Sequence, residues 1–344
     1  MKTRTVTPSD VVRAALRIRS LIKLTPTIMS KHSQIGLKLE SHQHTGAYKV
    51  RGALNALMVQ LEQGDTRTVI AASAGNHSAG VAWAASKLGL KAVAVVPNTA
   101  PRSKIERTRS LGAEVIVHGE CFDESFEFAE TMAEDKNWRF LHAFDDPDII
   151  AGQGTIGFEL LPYRPSTVIV PVGGGGLISG ISRLLHNHDI RVIGAQITGV
   201  DAMTRGLENR LSGFEPSSTI ADGIRVRRPG NLTQRLCAKY VDSFVNVSEK
   251  EVLGAIADLY HDEGIAVEGA GAIAYAAARK LRIPNVCAII SGQNIDQKVL
   301  TKIVSERPKR MRPAHFAQTP HAYTNREVIA SQQTNPVLLG RVAT

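Results

Sequence analysis

The run Val168-Ile169-Val170-Pro171-Val172-Gly173-Gly174-Gly175-Gly176-Leu177 decides the fold class. Its apolar half does not alternate with polar residues, so it reads as a strand buried on both faces, as in a parallel sheet covered by helices. It empties into a glycine turn that opens a helix; the strand is predicted over 167–172 and the helix over 177–186. A bare backbone lets an anion come close, and the unpaired amides at a helix start point at it. Two phosphate signatures fail here. The dinucleotide fingerprint needs glycine at its sixth position, which is Ile178 counted from Gly173 and Ser179 counted from Gly174. A P-loop needs Lys then Ser or Thr after the last glycine, where this chain has Leu177-Ile178. A plain strand-to-helix turn is the alternative, but four successive glycines cost backbone entropy that such a turn does not require.

The same alternation extends on both sides. Upstream, strands are predicted at 68–72, 92–96, 114–117 and 139–143, with helices at 76–88, 101–111 and 122–134 between them. This βαβα series is the mark of a parallel sheet. Residues 145–154 read as a linker into a second α/β unit, which continues through strands 191–197 and 285–290 and helices 249–262 and 269–280. Near the start, Thr7-Pro8-Ser9-Asp10 opens a helix with Val11, Ala15, Ile18 and Ile22 on one face, stopped by Thr25-Pro26. A short strand, 36–40, and a polar turn, 41–46, follow.

Composition agrees. The chain has 344 residues, enough for two domains at roughly 150 residues each. Apolar residues make up 43% and aromatics 5%, so the core must be built from Ala, Val, Ile and Leu. Collagen, a disordered chain and a disulfide miniprotein are excluded. The net charge of +9 is uneven: Arg307, Lys309, Arg310, Arg312, Arg326 and Arg341 face only Glu306 and Glu327 beyond Ser305. The body charge that remains suits anionic ligands. No Lys/Arg stripe is interleaved with aromatics, and Arg102, Lys104, Arg107 and Arg109 read as a solvated helix face, so no nucleic-acid partner is expected. Cys121, Cys237 and Cys287 are odd in number and widely spaced, which fits reduced thiols. Residues 1–23 lack an apolar signal core, and the longest apolar stretch, 272–278, falls short of the ~20 residues that span a bilayer. A cytoplasmic protein without a membrane partner is expected. The proline-punctuated segment 307–344 reads as a poorly ordered or surface-draped extension.

Three further runs carry chemistry. In Thr45-Gly46-Ala47-Tyr48-Lys49-Val50-Arg51-Gly52, a lysine sits beside an aromatic at a helix start, where the positive end of the helix dipole disfavours an ammonium. A neutral amine is what Schiff-base chemistry needs. In Ser73-Ala74-Gly75-Asn76-His77, small residues lie between a strand and a helix whose amides can meet a carboxylate; an ordinary cap by Ser73 or Asn76 is the plain alternative. Ile290-Ser291-Gly292-Gln293-Asn294 follows another strand, at the end where ligands of open α/β sheets gather.

With these runs the chain resembles the tryptophan-synthase-like (fold type II) pyridoxal-phosphate enzymes, and within them the threonine/serine dehydratase and serine racemase group. The likeness runs from about Thr7 to Ser305. It includes Leu24-Thr25-Pro26, Lys38-Leu39-Glu40, Ala151-Gly152-Gln153-Gly154-Thr155, Ala221-Asp222-Gly223 and Val267-Glu268-Gly269-Ala270. The resemblance implies two open twisted parallel-sheet α/β domains with helices on both faces and pyridoxal 5'-phosphate in the cleft. Residues 1–50 and 146–306 would form the large cofactor-binding domain and 51–145 the small one. Lys49 would hold the cofactor and then move the proton at the substrate Cα. Tyr48 would pack near the ring, Gly173, Gly174, Gly175, Gly176 and Leu177 would cradle the phosphate, and Asn76 would bond the phenolic oxygen. Ser73, Ala74, Gly75, Asn76 and His77 would hold the substrate carboxylate, and Ser291 would face the pyridine nitrogen. The implied activity is loss of water from a β-hydroxy amino acid, threonine or serine, giving a 2-oxo acid and ammonia, in a homodimer or homotetramer.

Some positions depart from the pattern. Ala74 stands where racemase-like members place a second serine, which disfavours serine racemase. Gln196 and Ala202 replace the carboxylates that bind a divalent cation there, so no metal is expected. Ala47 replaces a common serine and Gln293 a usual glycine, which keeps threo-3-hydroxyaspartate open as substrate. A non-catalytic ligand-binding relative is the reading from a different class, and Lys49, Ser291 and the glycine run speak against it.

Overall fold

The structure is a computed structural model and describes residues 4–307. The extension expected over 307–344 lies outside the described residues, Arg307 apart.

Among the described residues, ten strands form two sheets. They are β1 (Thr27–Met29), β2 (Gly36–Lys38), β3 (Val69–Ala72), β4 (Ala92–Val96), β5 (Glu114–Val117), β6 (Arg139–Phe140), β7 (Thr167–Pro171), β8 (Arg191–Ile197), β9 (Ser243–Val247) and β10 (Val286–Ile289). The larger sheet runs β1-β2-β10-β7-β8-β9 and the smaller β5-β4-β3-β6. Every pairing is parallel except β1 with β2. The helices are α1 (Pro8–Ile18), α2 (Lys49–Glu62), α3 (Asn76–Leu88), α4 (Arg102–Ser110), α5 (Phe122–Asp135), α6 (Pro147–Leu160), α7 (Gly176–Leu185), α8 (Ala202–Leu207), α9 (Asn231–Tyr240), α10 (Glu249–Asp258), α11 (Gly269–Leu281) and α12 (Gln297–Glu306).

The side-chain period of two along each strand splits the core into layers. In the larger sheet, Ile169, Ile193 and Ala288 pack with the apolar residues of α10 and α11. Their neighbours Val168, Val170, Val192, Cys287 and Ile289 pack with α7 on the other face. In the smaller sheet, Val69 and Ala71 join α2 and α3, whereas Ile70, Ala72, Val93 and Val95 join α5. Both sheets are therefore covered on both faces, which is why their strands read as continuous apolar runs.

The stretch 145–154 is not a linker. Asp146 caps α6 by accepting from the amides of Asp148 and Ile149, and Pro147 occupies the first turn. The glycines that made it look like a loop are there for packing. A Cβ on Gly152 would lie 2.7 Å from the Arg51 carbonyl oxygen, and one on Gly154 2.6 Å from the Gly180 carbonyl oxygen. Bare backbone lets α2, α6 and α7 press together. Other boundaries shift modestly. Residues 40–42 form a 3-10 turn after β2, and the helix predicted to 262 ends in a π-helical turn, Leu259–Glu263.

Candidate active site

The site lies where strand ends of the two sheets meet the start of α2. The main chain of Ala47 bridges Gly292, just past β10, and the Tyr48 amide donates to the Ser291 carbonyl oxygen at 3.1 Å. This bridge sets the residue before the helix, so Lys49 becomes the first residue of α2. A Cβ on Gly80 would lie 3.1 Å from the Lys49 carbonyl carbon, so α3 presses on that turn.

Lys49 Nζ donates to the Ala143 carbonyl oxygen at 2.8 Å and sits 5.4 Å from the centre of the Tyr48 ring. Burial lowers its pKa to about 8. Loss of water around the amine, not the helix dipole invoked from sequence, is the cause on view. Ala143 is followed by Phe144, whose ring packs against Gly174 and whose Cα would lie 3.0 Å from a Cβ on Gly176. The amine and the polyglycine bend are thus joined through two consecutive residues.

The bend itself needs its glycines. Gly175 has φ +94°, the left-handed region, and a Cβ there would meet Thr233 at 2.9 Å. A Cβ on Gly173 would meet Ile224 at 2.8 Å. Thr233 Oγ1 donates to the Gly174 carbonyl oxygen at 2.6 Å and pins the turn. The first i to i−4 bond of α7 is Ser179 N to the Gly175 carbonyl oxygen. The amides of Gly176, Leu177 and Ile178 precede it and carry the partial positive charge of a helix start. Leu177 itself is buried among β7 and α7 side chains.

The third run closes the cleft from the smaller sheet. Ser73 leaves β3, and its Oγ accepts from the Gly75 amide at 3.1 Å. Gly75, not Ser73 or Asn76, is the N-cap of α3, and no side chain caps the helix. The plain capping alternative therefore fails, and the amides of Asn76, His77 and Ser78 precede the first helical bond, Ala79 N to the Gly75 carbonyl oxygen. Ala74 is half-buried and has no group that moves a proton. The His77 ring is buried, with Nε2 donating to the Leu141 carbonyl oxygen at 3.0 Å. Burial pulls its pKa down to about 3, with Lys49 adding to the effect. His77 is a neutral ring turned inward, and its main-chain amide is what it offers to a ligand.

Ser291 is buried, and its hydroxyl donates to the Ala270 carbonyl oxygen at 3.3 Å. Asn76 is held on both sides of its amide. Nδ2 donates to Glu268 Oε1 at 2.7 Å, and Oδ1 accepts from Asn294 Nδ2 at 2.6 Å. Burial, and then Asp222, push the Glu268 carboxyl up to about 7. Glu268, Asn294, Ala143 and Phe144 received no role from sequence. Glu268 and Asn294 sit in the quoted runs Val267–Ala270 and Ile290–Asn294, so position in a run was the available signal. Nothing local marks Ala143 or Phe144.

Gln196, at a position where a metal carboxylate was expected in relatives, uses Oε1 to accept from Thr204 Oγ1 at 2.6 Å. A cavity of about 550 Å³ opens beside Thr66, Thr68, Lys91 and Trp138. It lies at the amino ends of β3, β4 and β6, away from the strand ends that hold the site.

A half-buried amine with a lowered pKa, linked through Ala143 and Phe144 to a glycine bend that opens a helix, fits an aldehyde that carries a phosphate. Comparison with known proteins gives the same class. The profile of the family described as "Pyridoxal-phosphate dependent enzyme" matches residues 18–292, and the chain belongs to that family. Among individual relatives, the L-threonine ammonia-lyase of Thermotoga maritima is 42% identical over 315 residues, 88% of this chain and 79% of the relative. Threonine deaminase isoform 2 from Solanum lycopersicum superposes with TM-score 0.80 at 30% identity, covering 88% of this chain and 90% of that one. A pyridoxal 5'-phosphate-dependent aspartate racemase superposes with TM-score 0.79 at 30% identity, covering 87% and 99%.

Proposed function

We propose that this protein is a threonine ammonia-lyase, also accepting serine, that removes water from a β-hydroxy amino acid and releases a 2-oxo acid and ammonia. The observation that carries the reading is the Lys49 amine, lowered to about 8 and joined through Ala143 and Phe144 to the glycine bend. The 42% identity to a threonine ammonia-lyase supports the substrate.

Bound pyridoxal phosphate supplies the aldehyde that takes up the substrate amino group and the electron sink for charge at Cα. The chain's own residues do the rest. Lys49 Nζ would hold the cofactor and would take the proton from the substrate Cα. Gly173 to Leu177 would hold the phosphate on main-chain amides, and Tyr48 would pack beside the ring. The run Ser73 to His77 would hold the substrate carboxylate, chiefly on the amides of Asn76 and His77, because the Ser73 amide already donates to the Val95 carbonyl oxygen and the Gly75 amide to Ser73 Oγ; that grip would fix which face of Cα meets the amine. Ser291, a neutral hydroxyl, would stand at the pyridine nitrogen. It does not hold a proton there as a carboxylate does, so the sink stays weak and loss of the β-hydroxyl is favoured over amino-group transfer. Leaving water and the later hydrolysis to 2-oxo acid and ammonia balance, one water out and one in. Ala74 supplies no base on the opposite face, which argues against racemisation.

A second reading, an acidic β-hydroxy amino acid such as threo-3-hydroxyaspartate, draws on one observation. Arg107 is half-buried near the site and donates to the Thr45 carbonyl oxygen at 2.7 Å, so a fixed positive charge stands by. Superposition on an aspartate racemase is consistent with it.

The small unit is proposed to be residues 51–145 and the large one 1–50 with 146–306. A cytoplasmic homodimer or homotetramer is proposed as well. Its three unpaired thiols fit a reducing compartment, and among the described residues no helix is long and apolar enough to cross a membrane. The deciding experiment measures 2-oxo acid release from L-threonine, L-serine and threo-3-hydroxyaspartate by wild type and Lys49→Ala. Threonine should have the highest kcat/KM, and the variant should release none. Turnover of hydroxyaspartate alone selects the second reading, and undiminished release by the variant removes Lys49 from the mechanism.

A further inference from the structure

We infer that Glu268 and Asn294 are positioning residues that fix the amide of Asn76 in one orientation, with a single N–H left to donate to the cofactor's phenolic oxygen. The inference rests on the reading that Asn76 faces that oxygen.

An asparagine amide is ambiguous by itself, because it presents two donors on one end and an acceptor on the other. Here both ends are spoken for. The Glu268 carboxylate, when ionised, only accepts, so in that state the atom 2.7 Å from it is Nδ2. Asn294 Nδ2 donates at 2.9 Å to the Thr45 carbonyl oxygen, which cannot donate back. That contact orients Asn294, and its Nδ2 then meets Asn76 at 2.6 Å, so the Asn76 atom there is Oδ1. Two independent acceptors set the same answer. One Nδ2 hydrogen of Asn76 goes to Glu268 and the second remains.

The space for this arrangement is built in. Gly292 lies under the Glu268 carboxyl: a Cβ there would clash with Oε1 and sit 2.9 Å from Cδ. The Glu268 amide donates to the Gly292 carbonyl oxygen at 3.2 Å. Gln293, next in the chain, donates its amide to the Gly46 carbonyl oxygen at 2.9 Å. The chain after β10 thus carries Ser291, the Glu268 seat and Asn294 on four consecutive residues. It binds the start of α11, the loop before Lys49 and the start of α3 into one hydrogen-bonded unit. Among the charged groups around Glu268 are Asp222 before α9 and Lys104 and Arg107 on α4.

Asn294→Asp is the sharp test, because it keeps shape and replaces the donor by an acceptor. The Asn76 amide then stands between two acceptors, so in either orientation one contact becomes repulsive and its fixed donation to the phenolic oxygen is lost. Holoenzyme spectra and the dissociation constant of pyridoxal phosphate are measured for Asn294→Asp, Asn294→Ala, Glu268→Ala, Glu268→Gln and Asn76→Ala. A charge-assisted hydrogen bond is at stake, so the dissociation constant should rise about tenfold in Asn294→Asp, more than in Asn294→Ala. Its visible band should also shift with pH relative to wild type. Glu268→Ala should weaken cofactor binding, and Glu268→Gln, which still offers an acceptor, should restore it. If Asn76→Ala alters the spectrum but Asn294→Asp and Glu268→Ala leave both readouts at wild type, the positioning role is overturned. If Asn76→Ala itself changes neither, the assignment of Asn76 to the phenolic oxygen fails first. Thermal unfolding of each cofactor-free variant separates misfolding from either result, and Glu268→Gln and Asn294→Asp, both isosteric, keep the test open should an alanine variant not fold.

Discussion

Arg51 and Glu40 meet fork to fork: Nε reaches Oε2 at 2.8 Å and Nη2 reaches Oε1 at 2.8 Å, with both side chains buried. Arg51 Nη1 also donates to Glu159 Oε1 at 2.6 Å, and Lys38 Nζ donates to Glu159 Oε2 at 2.5 Å. Two cations face two carboxylates two residues along α2 from Lys49. The attraction of Glu159 and Glu40 outweighs burial and holds the Arg51 pKa above its ordinary value. Removing one partner leaves an uncompensated charge in the core, which costs about 3–5 kcal/mol. Glu40→Ala is therefore expected to lower unfolding stability by about that amount, measured by urea denaturation of the cofactor-free protein. A loss below about 1 kcal/mol would mean that water reaches the site and screens the pair.

Gly180 and Gly154 set how closely α6 and α7 approach. An alanine at a helix-interior glycine normally gains up to about 1 kcal/mol in helix propensity. At Gly180 the added Cβ would clash with the Ile150 carbonyl oxygen and lie 2.9 Å from the Gly154 Cα. Backbone cannot move aside as a flexible side chain can, and overpacking of this sort costs about 1–3 kcal/mol or more. The steric term wins, so Gly180→Ala should destabilise by at least about 2 kcal/mol. Gly64, whose Cβ would meet nothing within 4 Å, is the control for spacing although its φ of +74° adds strain. An unfolding midpoint unchanged in Gly180→Ala would show that the two helices are not held at this distance.

That packing also explains what the sequence made legible. The strand-glycine-helix run 168–177 and the alternation over 68–143 gave the class of fold, because strands buried on both faces carry no polar alternation to confuse them with other elements. The stretch 145–154 reads as a linker because glycine lowers helix propensity locally; the close contacts that require its glycines are tertiary. Lys49, the bend and the strand-end runs were legible because each is contiguous. The runs Leu24–Pro26 and Lys38–Glu40 carried the family resemblance as strongly. They form the Arg51 ion-pair cluster instead, where Thr25 Oγ1 donates to Glu40 Oε1 at 2.5 Å. Ala143 and Phe144 escaped notice because a main-chain carbonyl and a phenyl ring carry no chemical signature until the fold brings them to Lys49.

His77 should make the protein acid-sensitive in a defined window. Its folded pKa, about 3, lies below the ordinary value of 6.5. The unfolded chain therefore takes up a proton that the folded chain refuses. The contribution is fully present above pH 6.5 and is lost as the pH falls from there toward 3, by at most about 1.4 kcal/mol per pH unit. His77→Gln should flatten the slope of unfolding free energy between pH 6 and 4 by up to one proton. An identical slope in the two proteins would mean that the ring is protonated in the folded state.

Lys49 titrates with the same sign in a higher window. Its folded pKa is about 8 against an ordinary 10.5. Between those values the unfolded chain holds the extra proton, so stability of the cofactor-free protein should rise with pH across about 8 to 10.5. Below 8 the folded state carries a charged amine in a poorly solvated place, and above 10.5 neither state does. Lys49→Met should abolish that rise. The same depression sets reactivity, because only the neutral amine condenses with an aldehyde. Trapping of pyridoxal phosphate on the protein by borohydride, followed as a function of pH, should therefore reach half its maximal initial rate near pH 8. A midpoint at 10 or above, or equal labelling of Lys49→Met, would show that the amine next to Ala143 is an ordinary solvated lysine.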